Sequence, residues 1–195
     1  MEATMQTTTR MQAGRKSSKP ARKRRPVLLA TAITFISTIG IAGISGIRWN
    51  PTASVRTGLY VITNDANAPL VAFCPTGDAA TEAIARGYRP RSLQCPDKYA
   101  ALLKPIAARA GDTVEVGQKG IRVNGKLLSN TAAFKIDSKK RPMHDWPNGT
   151  YIVQPGTVWV LSTYNKYSYD SRYYGPIQLS TVITYAKPFW TTSSH

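Results

Sequence analysis

The sequence has few acidic residues and almost no histidine. Its 195 residues include 10 Asp and Glu against 26 Lys and Arg, and the only histidines are His144 and His195. A Ser-His-Asp triad would have to use His144, because His195 is the last residue. His144 lies in the polar segment KKRPMHDWPNG, which is typical of a solvated loop, and the H-E-x-x-H helix of zinc peptidases is missing. The sequence therefore indicates neither a metal ion nor another cofactor.

The positive charge is concentrated at the N-terminus. Residues 1–26 hold eight Lys and Arg against the single acid Glu2, so +7 of the net charge of +16 lies there. This segment has almost no large apolar side chains, which predicts a disordered basic tail. The remaining +9 is scattered, without the basic stripe typical of nucleic-acid binding, and favours anionic lipid or an acidic partner.

Residues 27–47 read VLLATAITFISTIGIAGISGI and contain no charge. About 20 such residues span a hydrocarbon layer roughly 30 Å thick, so we expect a transmembrane helix. A cleavable signal peptide is the alternative, since small residues follow at 42–46. The basic tail would stay in the cytoplasm by the positive-inside rule, which exports residues 48–195 as one folded domain. Trp49 would then lie at the membrane interface.

The two cysteines, Cys74 and Cys95, both lie in the exported part. An oxidising periplasm allows a disulfide to form and persist, so we expect a bond that closes an insert over residues 74–95. The surrounding segments are poor in apolar residues and would gain from this link. Two buried free thiols are the alternative, whereas two ligands without nearby histidines are too few for a metal site.

The exported part contains short apolar runs separated by Gly, Pro and Asn, which predicts a mostly β domain. Asn124-Gly125 is typical of a hairpin turn, and residues 81–87 predict one short helix. The predicted strands cover residues 58–63, 71–73, 101–108, 113–116, 120–123, 157–162 and 182–185.

A hydrolase without a usable histidine can activate a serine with a neutral amine. The pKa of lysine must then fall by roughly 3 units from about 10.4, which burial among apolar groups can cause. Lys104, in ALLKPIAARAGDTV, lies in the most apolar predicted strand. This pattern alone favours a lysine whose charged end reaches the surface over a catalytic one.

Four segments resemble, in order, the conserved boxes of type I signal peptidases, the S26 family. NPTASVRTGLY, with Ser54, is similar to the nucleophile box, and LLKPIAARAGDTV, with Lys104, to the general-base box. IRVNG at residues 121–125 and YDSRYYGPI at residues 169–177 are similar to the two boxes that follow. Together these segments span nearly the whole exported part.

Within that family the sequence most resembles conjugative-transfer peptidases of the TraF type, which are small, have one N-terminal anchor and carry a cysteine-bounded insert. This resemblance implies a β-barrel catalytic domain on the periplasmic face of the bacterial inner membrane. It also implies a membrane-inserted pilin precursor as substrate, with maturation that can include head-to-tail cyclisation.

The resemblance also implies residue roles. Ser54 would be the nucleophile, Lys104 the general base and Thr52 an oxyanion donor together with the Ser54 N–H. Ser171 would orient the lysine amine, while Asp170 and Arg172 would hold their box together. The sequence departs from the family pattern at Arg56-Thr57, where proline is usual, and at Pro105, which we expect at a strand edge or bulge because it lacks an N–H.

Three other functions fit part of this pattern. A LexA-like self-cleaving protease shares the Ser-Lys pair but is a cytoplasmic regulator, which the anchor disfavours. A non-catalytic pilus-assembly scaffold would have no need of Ser54, Lys104 and Ser171. A general signal peptidase for exported preproteins remains open, and the oligomeric state is not indicated.

Overall fold

The computed structural model describes residues 46–192. The predicted basic tail and residues 27–45 of the predicted transmembrane helix lie outside this range. Ile47, which the hydropathy pattern assigned to the helix, instead begins the first strand. No helix between residues 46 and 192 has the length and apolar character needed to cross a membrane.

The described chain is mostly β, as the sequence predicts. It has eleven strands, two short α-helices and one 3-10 helix within residues 46–192. The strands are β1 Ile47–Asn50, β2 Gly58–Thr63, β3 Leu70–Phe73, β4 Leu102–Ala108, β5 Thr113–Gly117, β6 Gly120–Val123, β7 Lys126–Leu127, β8 Gly149–Ile152, β9 Thr157–Val160, β10 Ile177–Gln178 and β11 Val182–Thr191. The helices are α1 Gly77–Ala85, α2 Ser171–Tyr174 and the 3-10 helix Leu179–Thr181.

All seven predicted strands are present, two with the predicted ends and five with shifted ends. β11 continues to Thr191, well past the predicted end at residue 185, and β1, β7, β8 and β10 were not predicted. The predicted helix 81–87 corresponds to α1, which begins four residues earlier and ends at Ala85.

The strands form two antiparallel sheets rather than the expected closed barrel. The order of the larger sheet is β1-β2-β11-β3-β4-β9-β10, and that of the smaller sheet is β7-β6-β5-β8. Neither sheet closes on itself within the described residues. The domain is therefore mostly β, as expected, but not a closed barrel, because no ladder joins the outer strands β1 and β10 of the larger sheet or β7 and β8 of the smaller sheet.

Strand β9 lies at the centre of the core. All four of its residues are buried, and Trp159 packs with Val114 and Ile121 of the smaller sheet. Val158 and Val160 pack with Val71 and Phe73 of β3. β9 thus joins both sheets and fixes one side of β4, its neighbour, which carries Lys104.

The insert is closed by the expected disulfide. Cys74 and Cys95 are bonded, with their Cα atoms 5.7 Å apart. Helix α1 lies within the insert, and the wholly buried Arg89 side chain donates to the Asp97 carboxylate at 2.7 and 3.0 Å and to the Ala100 carbonyl at 2.7 Å. The insert is therefore fastened to the start of β4 by more than its disulfide.

Replacing both cysteines with serine should lower the free energy of unfolding by about 3 kcal/mol, since the bond closes a loop across a sequence separation of 21 residues. Urea unfolding of the full chain in detergent, followed by tryptophan fluorescence, measures this change. A reducing agent should lower the wild-type midpoint to that of the double variant and leave the variant unchanged. Equal midpoints for oxidised wild type and variant would contradict the expectation.

Candidate active site

Ser54 lies in the connection between β1 and β2. Asn50 and Gly58 are paired at the base of this hairpin, and the buried Val55 packs with Tyr60. Gly58 has φ +155, and a Cβ added there would lie 2.2 Å from the Trp190 carbonyl oxygen, so only glycine fits. The hairpin thereby holds Ser54 at a fixed place against the larger sheet.

Lys104 is buried, with only 2% of its surface exposed. Its Nζ lies 2.7 Å from Ser54 Oγ and donates to Ser168 Oγ at 2.8 Å. Burial lowers the pKa of the Lys104 amine to about 8, with Asp170 opposing this shift and Arg172 adding to it. The amine therefore does not reach the surface, and it loses its proton far more readily than an exposed lysine.

Ser168, and not Ser171, contacts the lysine amine. Ser171 Oγ instead accepts a hydrogen bond from the Val160 N–H at 2.9 Å. The expected role of Ser171 was therefore wrong: it begins α2 beneath β9, whereas Ser168 lies in the preceding loop beside Lys104. The box at residues 169–177 contains only Ser171, and Ser168 directly precedes it.

Asp170 and Arg172 form a buried ion pair that holds the Ser168 loop. Arg172 Nε donates to Asp170 Oδ1 at 2.7 Å, and both side chains are almost completely buried. Asp170 also accepts from the Ser162 N–H at 3.0 Å. Further Arg172 donors reach the carbonyls of Ser162, Lys166 and Asn130 at 2.8 to 3.0 Å. These bonds fix the turns on both sides of Ser168.

The Thr52 hydroxyl is held by Asn50. Thr52 Oγ1 donates to Asn50 Oδ1 at 2.7 Å, and Asn50 Nδ2 donates back to the Thr52 carbonyl at 3.0 Å. Thr52 and Ser54 both face the same cleft. To serve as an oxyanion donor, the Thr52 hydroxyl must turn away from Asn50, a residue to which the sequence pattern assigned no role.

The cleft has a volume of about 290 Å³. Ser54 and Lys104 lie in its lining together with residues 100–103, which include the first two residues of β4. His144 does not line this cleft. Within residues 46–192, no group of three or more His, Cys, Asp or Glu side chains is arranged to hold a metal ion.

One edge of β4 is open beside the catalytic groups. The Ile106 N–H donates to Pro69 on the β3 side, and the Pro105 carbonyl accepts from Leu161 on the β9 side. Because successive residues alternate sides, the N–H and C=O of Leu103 also face the β9 side. Pairing with β9 begins only at Ile106, so no described strand covers Leu103 there.

Pro105 lies at the last residue before this pairing with β9 begins. We expected it at an edge or bulge, and β4 is an interior strand. The Pro105 carbonyl accepts from the Leu161 N–H at the end of the β4–β9 ladder, and proline has no N–H to return a bond to Leu161. The proline therefore lies where this pairing ends.

A family comparison agrees with this geometry. The model of the family described as "Signal peptidase, peptidase S26" matches residues 23–190. The chain belongs to this family. Two similar proteins are a plasmid transfer protein TraF of Escherichia coli and a probable conjugal transfer protein TraF of Sinorhizobium fredii. The first is 34% identical over 78% of this chain and 87% of its own length. The second is 35% identical over 87% of this chain and 92% of its own length.

Among solved structures, a signal peptidase I from Enterococcus faecalis is 20% identical to this chain. The match covers 64% of this chain and 97% of that chain, with a TM-score of 0.35.

Replacing Lys104 with methionine should make the stability difference from wild type depend on pH. The unfolded lysine holds its proton up to its ordinary pKa of 10.5 and the folded one only up to about 8. Burial of the charged amine therefore costs about 3 kcal/mol below pH 8, and this cost disappears as the pH rises to 10.5. Relative to the variant, wild type should gain that amount between pH 7 and pH 10.5.

Urea unfolding at the two pH values measures this gain. The exposed Lys119 provides the matched control, and Lys119→Met should follow wild type at both pH values. A constant difference between Lys104→Met and wild type across this range would show that the folded amine keeps an ordinary pKa.

Proposed function

We propose that this chain is a membrane-anchored serine endopeptidase that processes a membrane-inserted pilin precursor for conjugative transfer. Ser54 is the nucleophile and Lys104 the general base. The observation that carries the proposal is the 2.7 Å separation between a buried lysine amine and a serine hydroxyl within an open cleft. Family membership and the names of the relatives support the reaction class and the setting.

In the first half-reaction, the neutral Lys104 amine takes the Ser54 proton while Ser54 Oγ adds to a peptide carbonyl carbon. The ammonium then returns this proton to the leaving nitrogen, and an acyl-enzyme ester remains. Ser168 keeps one Lys104 N–H engaged at 2.8 Å, which leaves the amine lone pair free for Ser54. The Ser54 N–H and a turned Thr52 hydroxyl stabilise the oxyanion.

In the second half-reaction, Lys104 takes a proton from whichever nucleophile attacks the ester. Water gives a linear product, whereas the N-terminal amine of the substrate gives a new peptide bond and a cyclic product. Both reactions need the same base and the same oxyanion donors. We propose that this site can perform either of them, as pilin cyclisation requires.

The open edge at Leu103 supports a peptide substrate. An extended peptide can pair with the unpaired N–H and C=O of Leu103, one residue before Lys104, and so bring a carbonyl to Ser54. Hydrogen bonds to the main chain of the peptide do not depend on the substrate's sequence. Side-chain selection therefore needs other contacts in the cleft.

An exposed aromatic surface supports a position at the membrane. Trp49 and Trp190 both stand opposite Leu59 on adjacent strands, so all three share one face of the larger sheet. Trp49 is 55% exposed and Trp190 60%, and Phe189, the residue before Trp190, is 65% exposed. Tryptophan is enriched at membrane–water interfaces, and Trp49 lies two residues after the end of the apolar segment 27–47. We propose that this face contacts the periplasmic leaflet of the inner membrane.

Ser168→Ala and Ser171→Ala should separate orientation of the base from structural support. Loss of the Ser168 bond to the amine should lower kcat/KM roughly 10- to 100-fold, with little change in unfolding. Ser171→Ala should leave kcat/KM near wild type but lower the free energy of unfolding by about 1–3 kcal/mol, because the buried Val160 N–H loses its acceptor. The reverse pattern would assign the base-orienting role to Ser171.

Ser54→Ala and Lys104→Met should each abolish maturation of a co-expressed pilin precursor in membranes, because one lacks the nucleophile and the other the base. Immunoblotting follows the precursor, and mass spectrometry shows whether the product is a linear peptide or one lighter by a single water. Lys119→Met is the control and should process normally. Normal maturation by Lys104→Met would contradict the Ser-Lys mechanism.

A further inference from the structure

A second cavity, with a volume of about 730 Å³, adjoins the catalytic cleft. The two cavities share Tyr169 and Tyr173, but neither Ser54 nor Lys104 lines the second one. Helix α1 of the insert forms one wall, and the chain around residues 144–146 and 169–174 forms the rest. We call this second cavity the acidic cavity; its lining includes Asp78 and Glu82 of α1 and the rings of Trp146, Tyr169, Tyr173 and Tyr174. The reaction described above makes no use of it.

Asp78 gives the acidic cavity a negative charge that its surroundings do not balance. Asp78 and Glu82 are four positions apart in α1, so both carboxylates lie on one face of the helix. Glu82 is paired, since it accepts from Arg86 Nε at 2.8 Å and from the Tyr169 hydroxyl at 2.9 Å. Within residues 46–192, no group donates to or pairs with the Asp78 carboxylate, and no Lys or Arg lines the cavity. A recess of one charge sign concentrates ligands of the opposite sign, which here are cations.

Most of the remaining wall is aromatic. The Tyr169 and Tyr173 rings stack with centroids 5.8 Å apart, and Tyr174 meets Tyr169 edge-on at 5.2 Å. Trp146 packs edge-on against the buried Trp159, with centroids 6.3 Å apart. The π electrons of tryptophan and tyrosine rings attract the ammonium of lysine and the guanidinium of arginine. A carboxylate surrounded by such rings therefore suits a Lys or Arg side chain.

Two buried polar groups of the aromatic wall have no hydrogen-bond partner among the described residues. They are Trp146 Nε1 and the Tyr174 hydroxyl, whereas the hydroxyls of Tyr169 and Tyr173 are both bonded. Buried polar groups in folded proteins rarely lack a partner. An indole N–H can only donate, so it requires an acceptor such as a peptide carbonyl. A ligand with both a cation and main-chain carbonyls would satisfy this wall.

The Trp146 indole is held in position by the neighbouring chain. The Trp146 backbone N–H donates to the Arg172 carbonyl at 2.9 Å. Gly175 has φ +71, and a Cβ added there would lie 2.7 Å from the indole ring, so the ring packs directly on the Gly175 backbone. A donor that is already fixed loses little conformational freedom when a ligand binds.

We propose that the acidic cavity is a second peptide-binding site, separate from the catalytic cleft, that takes a Lys or Arg side chain. The cation lies beside Asp78 among the aromatic rings, and a neighbouring main-chain carbonyl accepts from Trp146 Nε1. The occupant is a basic segment of the substrate away from the cleaved bond, because the cavity shares Tyr169 and Tyr173 with the cleft where the substrate is cut. This choice of occupant rests on the proposed peptidase function, whereas binding of the cationic peptide does not.

Nuclear magnetic resonance of the indole N–H tests the binding site. Full-length Ser54→Ala with ¹⁵N-labelled tryptophan, in detergent micelles, is titrated with acetyl-Ala-Ala-Lys-Ala-Ala-amide, and the signal missing in Trp146→Phe identifies Trp146. The peptide should shift this signal until it saturates, because the indole N–H gains an acceptor. The same peptide with norleucine in place of lysine should bind roughly tenfold more weakly, because it lacks the cation.

Asp78→Asn removes the charge alone and should weaken binding of the lysine peptide roughly tenfold, with no change for the norleucine peptide. Glu115, an acidic residue on β5 that does not line the cavity, provides the matched control. Glu115→Gln should bind both peptides as its parent does. Because Asp78 is exposed, Asp78→Asn should fold normally, and an unchanged urea midpoint verifies this. Equal affinities for the two peptides, or equal effects of Asp78→Asn and Glu115→Gln, would overturn the proposal.

Kinetics with a pilin precursor test the choice of occupant. Asp78→Asn should raise KM roughly tenfold at unchanged kcat, since no reacting group is altered. Each Lys and Arg of the precursor is then replaced by glutamine in turn. One such precursor should show the raised KM with the wild-type chain and no further rise with Asp78→Asn.

The two experiments separate failure of the site from failure of the peptidase function. If no precursor variant couples to Asp78→Asn, the substrate is not the occupant and that part of the inference is overturned. If the lysine peptide binds but the wild-type chain cleaves no precursor, the site is supported and the proposed peptidase function is contradicted.

Discussion

The proposed chemistry depends on burying one amine without leaving it permanently charged. An ammonium group with 2% exposure loses most of its hydration, and this loss is what lowers the pKa of Lys104 to about 8. A carboxylate in direct contact would cancel the effect by stabilising the charge. The Lys104 amine instead contacts two neutral hydroxyls, those of Ser54 and Ser168. The apolar strand around Lys104 therefore serves both the core and the reaction.

The nearby Asp170 shows how this balance is kept. Asp170 raises the pKa of Lys104 through space, but its carboxylate is bonded to Arg172 and to the Ser162 N–H. The Arg172 guanidinium lowers the pKa of Lys104, against the effect of the Asp170 carboxylate, and also anchors the loop that carries Ser168. Removing one partner of such a buried pair would leave the other charge uncompensated. We infer that the two residues act on Lys104 by holding its surroundings, without touching substrate.

The sequence predicted local features well and the pairing of segments distant in the sequence poorly. Seven strands follow from apolar runs bounded by Gly, Pro and Asn, and the Cys74–Cys95 bond was expected from the prediction that this part is exported. The expectation of a barrel was wrong because closure of a sheet depends on pairing between edge strands that are distant in the sequence. β1 was absorbed into the preceding apolar run, where Ile47 continues the same hydropathy.

The candidate site shows the same division. The ordered boxes located Ser54 and Lys104, whose Oγ and Nζ atoms lie 2.7 Å apart, but assigned the amine contact to Ser171, whereas Ser168 makes it. Ser168 lies three residues before Ser171, the first residue of α2. At the same cleft, the Asp137 carboxylate accepts hydrogen bonds from Arg86 and Tyr88, which lie 51 and 49 positions away in the sequence. Charge pattern alone does not predict such pairings.

The pKa of Lys104 is the quantity on which the mechanism rests, and it can be titrated directly. With ¹⁵N-labelled lysine side chains, nuclear magnetic resonance of the full chain in micelles follows each amine with pH, and the signal missing in Lys104→Met identifies this residue. The account predicts a midpoint near pH 8. A midpoint at the ordinary value of 10.5 would contradict it, because the amine could not then serve as a base near neutral pH.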